Sequence, residues 1–138
     1  MTRINLVDPS ELTDQHLVAE YREIRLLTAN IRRSFATSGP QAEKIPPKFT
    51  LNKSHVLFFK NKGLYIDKRY AQLIDEMVKR GFEPQHPTID SQAWPMGFYK
   101  DWEPTEDDKD VVRKRIALRI SQRPGWYRHN GKPMELAA

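Results

Sequence analysis

TDQHLVAEYREIRLLTANIRRSFAT, residues 13–37, is the stretch on which the fold turns. Its apolar residues Leu17, Tyr21, Ile24, Ile31 and Phe35, with Thr28 filling the gap, are separated by steps of four, three, four, three and four. That alternation traces one face of a helix, so the spacing predicts a long amphipathic helix. Thr13 or Asp14 is fitted to cap its start, and TSGP at residues 37–40 stops it.

Working outward, Ile66, Tyr70, Leu73 and Met77, with Ile74 and Val78 beside them, form a second helical stripe, and Gly81 is placed to close it. A third helix is predicted from Thr105, with Glu106, Asp107 and Asp108 in its first turn, then Val112, Ile116 and Ile120, and basic residues crowding its end. Acid first and base last suits the helix dipole. The intervening EKIPPKFTLNKSHVLFFKNKG (43–63) and FEPQHPTIDSQAWPMGFYKDW (82–102) are rich in proline and aromatics. They read as long ordered connections, with at most a short extended piece at Val56 to Phe59. The expected architecture is all-α, a single compact domain over residues 1–138 of three main helices joined by long ordered loops.

Twenty-three Lys and Arg against 18 acidic residues give a net charge of +5 in 138 residues, which favours a polyanionic partner, nucleic acid first. With no cysteine there is no disulfide framework, thiol nucleophile or Cys-ligated zinc. No apolar run approaches the ~20 residues of a membrane span, and the start lacks the apolar core of a signal peptide. A monomeric cytoplasmic enzyme without membrane association is expected.

On the first helix His16 and Glu23 lie seven residues apart, on one flank of the apolar stripe, and Gln15 and Arg22 form a second such pair toward solvent. Glu23 is placed to stand at the rim of a cleft with His16 beside it; an ordinary solvated face explains the same spacing. His16 and Glu20 have the i, i+4 spacing of a metal-ligand pair, but no HExxH or Asp-rich cluster accompanies them. The cations come in bursts: Arg22 and Arg25, Arg32 and Arg33, Lys79 and Arg80, then Arg113, Lys114, Arg115, Arg119 and Arg123. Singly each is a solubilising charge; clustered, they are able to track a phosphate backbone. Trp126 and Tyr127 interleave with Arg123, Arg128 and Lys132 in a tail suited to stacking and phosphate contact, or to packing onto the helices.

The start, MTRINL, adds another candidate. If methionine is trimmed, Thr2 carries a free α-amine, whose reference pKa of about 7.7–8.0 leaves roughly a tenth of it neutral at pH 7, against a few in ten thousand for lysine. Such an amine is able to attack a sugar C1′ and form an imine. Arg3 beside it would depress the amine pKa further.

MTRINL (1–6), ELTDQHLVAEYREI (11–24), HVLFFK (55–60), KRGF (79–82), SQRPGWY (121–127) and the following Gly131–Lys132 together closely resemble the bacteriophage-type pyrimidine-dimer DNA glycosylase and AP lyase family, endonuclease V of the denV kind. The resemblance spans nearly the whole chain. It implies a compact all-α domain acting on UV-damaged double-stranded DNA, with Thr2 as attacking amine and Glu23 as catalytic carboxylate. It implies further that Arg3, Gln15, His16, Arg22, Arg115 and Arg119 hold the kinked DNA, with Arg25, Arg123, Trp126, Tyr127 and Arg128 extending the contact surface. A base opposite the lesion is flipped out in this family; no metal or organic cofactor is implied. The family commonly has Leu-Pro-Arg after the glutamate, where Ile24, Arg25 and Leu26 stand here. The competing readings are a non-catalytic helical DNA-binding module, a small metal-independent RNase using His16 and Glu23, and a glycosylase of the same mechanism with a different lesion range.

Overall fold

A computed structural model describes residues 3–133. Three long helices carry the chain: α1 at Asp14–Ser38, α3 at Gly63–Lys79 and α4 at Glu106–Gln122, with a one-turn helix, α2, at His55–Phe58. The fold is all-α apart from a tail hairpin of two short antiparallel strands, β1 at Arg128–His129 and β2 at Lys132–Pro133.

Helix α1 begins where Thr13 accepts the His16 amide on its side chain, 2.9 Å away. Its stripe faces α3 and is buried at Leu17, Tyr21, Ile24, Leu27, Thr28 and Ile31. Within that stripe Glu20 is fully buried, and Arg69 of α3 meets it with two hydrogen bonds of 2.7 and 3.0 Å while also donating to the Val7 carbonyl. The pairing is what allows two charges inside an otherwise apolar interface. Lys60, equally buried, donates to the Gly39 carbonyl (2.7 Å) and the Ser34 hydroxyl (2.9 Å), placing a cation at the negative end of α1.

Helix α3 ends as its sequence predicts. Gly81, at φ +89°, donates to the Val78 carbonyl and the Phe82 amide to that of Met77, the paired bonds of a glycine-closed helix. Its start depends on another glycine: a Cβ on Gly63 would lie 2.5 Å from Cγ of Trp94. The absent side chain lets the 91–99 loop lie against the helix, with Trp94 Nε1 donating to the Phe59 carbonyl at 3.0 Å.

The region expected to hold an extended piece at Val56 to Phe59 is instead the single turn α2 followed by a 3₁₀ turn at Phe59–Asn61. Phe58 and Phe59 must both be buried, and Phe49, Tyr65 and Trp102 pack around them. Adjacent side chains in a strand point to opposite faces, whereas a helical turn brings neighbours toward one core.

Helix α4 is opened by a capping box between Thr105 and Asp108. It buries fully only Val112 and Ile120. After it the chain turns back, and Asn130 and Gly131, at φ +52° and +78°, make the hairpin turn. Asn-Gly is favoured there because both positions need positive φ. Among the described residues no helix is long and apolar enough to cross a membrane.

Candidate functional site

A cleft of about 670 Å³ opens between the first turns of α1, the second half of α4 and the tail. Four arginines line it, Arg22, Arg115, Arg119 and Arg128, against one carboxylate, Asp14. Asp14 is already committed: it accepts the Asn130 and Gly131 amides (3.0 and 2.8 Å) and Arg80 (3.0 Å). Arg80 also binds Glu76 and the Pro9 carbonyl, and His129 Nε2 lies 2.7 Å from the Ser10 carbonyl. These contacts hold the hairpin against the start of α1 and leave the cleft's balance of charge strongly positive.

Gln15 fixes the preceding segment. Its Nε2 donates to the Trp126 carbonyl at 2.7 Å and its Oε1 accepts the Arg128 amide at 2.9 Å, so both ends of this amide hold the tail. Next to it, the Tyr127 ring is buried and stacks on His16, with centroids 4.8 Å apart and planes 4° from parallel. His16 Nδ1 lies 2.7 Å from the Thr13 hydroxyl. Burial, then the charges of Arg115 and Arg119, push His16 down to about 4, so the ring is neutral near pH 7.

Trp126 behaves differently from its neighbour. It is 43% exposed, packs edge-on against Tyr127 and carries the Arg123 guanidinium 3.9 Å from its ring centroid. An exposed ring with a cation stacked on it is a surface for bases and phosphates. Of the two tail aromatics, Tyr127 is packed against the helices and Trp126 is left open to solvent.

Beside the cleft stand the remaining candidates. Glu23 is half-buried, and burial raises its carboxyl above the ordinary range against the opposing pull of Arg3. Arg115 is lowered by burial and by the charges of Arg119 and Arg3, so these three guanidiniums share one electrostatic neighbourhood. Arg3 Nε donates to the Leu51 carbonyl at 3.0 Å. Thr2 lies outside the described residues.

The structure therefore brings Gln15, His16, Arg22, Arg115, Arg119, Trp126, Tyr127 and Arg128 around one cleft, with Arg3 and Glu23 close by. Arg25 does not line the cleft itself; exposed and 6.0 Å from the Tyr21 ring, it lines a smaller depression toward His86 that adjoins the cleft through Val18, Arg22 and Phe82. Arg123 does not line the cleft and stacks on Trp126, which does. Glu20, half of the i, i+4 pair with His16, is consumed by Arg69; among the described residues no three metal-ligating side chains cluster.

Sequence reasoning missed two residues here. Asn5 lines the cleft, and its Nδ2 is buried without a hydrogen-bond partner among the described residues. His55 accepts the backbone amide of Ile4 on Nε2 at 2.9 Å. MTRINL contains the first and HVLFFK the second, but nothing in either motif sets those side chains apart from core polar groups.

A basic cleft with an aromatic strap, on an all-α scaffold, has the charge and ring chemistry that suit a polyanion carrying stackable rings. The family model for pyrimidine dimer DNA glycosylase matches residues 1–90, about two thirds of the chain, and the chain belongs to that family. Its substrate is accordingly DNA carrying pyrimidine dimers. The match covers α1 to α3 and Glu23, while α4 and the aromatic strap fall outside it.

Proposed function

We propose that the protein cleaves the N-glycosidic bond of the 5′ pyrimidine of a cyclobutane dimer, which stays joined to its 3′ neighbour through the cyclobutane ring, and then nicks the strand as an AP lyase, with Thr2 and Glu23 as its catalytic pair. The observation that carries the reading is Glu23: a half-buried carboxyl with a raised proton affinity, next to Arg3 and beside a cationic cleft. A carboxylate in such surroundings is a better base than an exposed one.

The neutral Thr2 α-amine attacks C1′, and the glycosidic electron pair leaves with the base, which takes up a proton. Sugar-ring opening gives an iminium between the amine and C1′. That cation acidifies the C2′ proton, Glu23 removes it, and the electron pair expels the 3′ phosphate. Water then hydrolyses the imine and frees the amine. Arg22, Arg115 and Arg119 hold the phosphates on either side. The base flipped out opposite the lesion is assigned to the 670 Å³ cleft, where Trp126 offers a ring and Asn5 has hydrogen-bonding capacity left over. Single-domain organisation and action as a monomer belong to the same proposal.

Borohydride reduction on UV-irradiated duplex in the presence of chelator tests it. The expected product is a protein–DNA adduct through the α-nitrogen of Thr2. An adduct on an internal lysine, or salt-sensitive binding with no adduct, overturns the mechanism.

A further inference from the structure

Outside the cleft, one buried titratable side chain has no part in the mechanism above. His55, 1% exposed, stands at the start of α2, its ring edge-on to Phe49 and Phe59 with centroids 5.4 and 5.3 Å away. Its two nitrogens have partners of fixed polarity. Nδ1 lies 2.8 Å from the Thr50 carbonyl, which can only accept, and Nε2 lies 2.9 Å from the Ile4 amide, which can only donate. The ring is therefore neutral with its proton on Nδ1. Burial, with smaller contributions from Arg3 and Arg115, pushes its pKa down to about 4 against the opposing Thr50 bond, in keeping with that form.

The same loop grips the preceding residue as well. Leu51 receives Arg3 Nε at 3.0 Å, so residues 50–55 hold two successive residues of the N-terminal segment. The Ile4 side chain is itself fully buried, which fixes position; the amide bond to His55 fixes the orientation of the Ile4 peptide as well. Consecutive Cα atoms are 3.8 Å apart, so a shift of the Ile4 peptide acts on an amine only two residues away in sequence.

We propose that His55 is a positioning residue for the N-terminal nucleophile: by accepting the Ile4 amide and anchoring its ring through Thr50, it orients the segment that delivers the Thr2 amine to C1′. The inference rests on the amine mechanism proposed above. A nucleophile must approach to about 3–3.5 Å along a defined path, and a misplacement of about 1 Å costs on the order of a hundredfold in rate.

The test compares the full chain, processed at Met1, with His55→Leu and His55→Gln. Single-turnover borohydride trapping is measured on a duplex with one abasic site, and affinity on a duplex carrying a tetrahydrofuran abasic analogue. His55→Leu is expected to slow trapping by about a hundredfold while analogue affinity stays within about twofold, and His55→Gln, whose amide oxygen is able to accept the Ile4 proton, to recover most of the rate. A folded His55→Leu that traps at the wild-type rate overturns the proposal, as does an equal loss of rate and affinity. Should His55→Leu fail to fold, long-range proton–nitrogen spectra of the wild type at neutral pH decide: the expected signature is a neutral Nδ1–H ring with a slowly exchanging Ile4 amide. An Nε2–H tautomer or a fast-exchanging amide overturns it. A wild-type chain that forms no α-amine adduct overturns the amine mechanism and this inference with it, so the two failures are told apart.

Discussion

The α1–α3 interface and the strap formed by α4 and the tail handle charge in opposite ways. Between α1 and α3, Glu20 and Arg69 are both buried and satisfy each other. Along the strap, Arg115, Arg119 and Arg128 face one cleft whose sole carboxylate is engaged elsewhere. The first interface is closed by Leu17, Ile24, Leu73 and their neighbours, whereas α4 buries little and the tail is held mainly by the polar bonds of Asp14, Gln15 and Arg80. Paired charge is compatible with a stable core; concentrated like charge is a cost that a bound phosphate chain would offset, as the proposed function requires.

The largest expected effect tests the boundary between the regions. Glu23→Gln should lower glycosidic-bond cleavage and strand scission by about 10²- to 10⁴-fold while binding to damaged duplex persists. Since burial already disfavours the Glu23 charge, unfolding in urea should show no loss of stability. Unchanged scission places the proton work elsewhere, and a destabilised variant makes Glu23 part of the core.

Arg69→Met strips Glu20 of its counter-charge and is expected to destabilise by about 3–5 kcal/mol; replacing both residues by apolar ones of similar volume should recover most of that. Denaturant midpoints read both. A fully additive pair of losses would mean the ion pair is not the unit the comparison makes it.

Acid sharpens the contrast next. Folding holds His16 and His55 at about 4, while an unfolded histidine titrates near 6.5. Between those values the unfolded chain binds more protons, so stability is full above about pH 6.5 and falls as pH drops toward 4. For the fully buried His55 the contribution at stake is about 3 kcal/mol. Unfolding curves across this window should lose the His55 share of that slope in His55→Gln and keep the His16 share; a slope retained in full assigns the acid sensitivity to other groups.

The smallest effects separate the strap's parts. Neutralising Arg115 and Arg119 should weaken binding to damaged and undamaged DNA alike and lower the salt slope by roughly one unit per lost phosphate contact. Trp126→Ala should change the ratio of damaged to undamaged binding more than the salt slope, with stability moved by less than about 0.5 kcal/mol, as for an exposed residue. A large drop in melting temperature for Trp126→Ala would move that ring into the packing role assigned to Tyr127.

What the sequence determined by itself is local. The three- and four-residue steps of α1 and α3, a cap at Thr13 or Asp14, a helix start at Thr105, and Gly81 as a stop follow from backbone geometry and from which side chains leave water, and each involves residues within a few positions of one another. Charge and the MTRINL to SQRPGWY motifs pointed to the nucleic-acid reading on the same local terms. The helical turn at His55–Phe58 escaped that reasoning because an apolar run of four has no period of its own until Phe49 and Trp102 surround it. Only tertiary structure decided that Glu20 meets Arg69, that Gln15 clasps the tail 111 residues later, and that His55 takes the Ile4 amide from 51 residues away. Buried polar groups must find partners wherever the chain brings them, and no spacing along the sequence encodes a partner that distant.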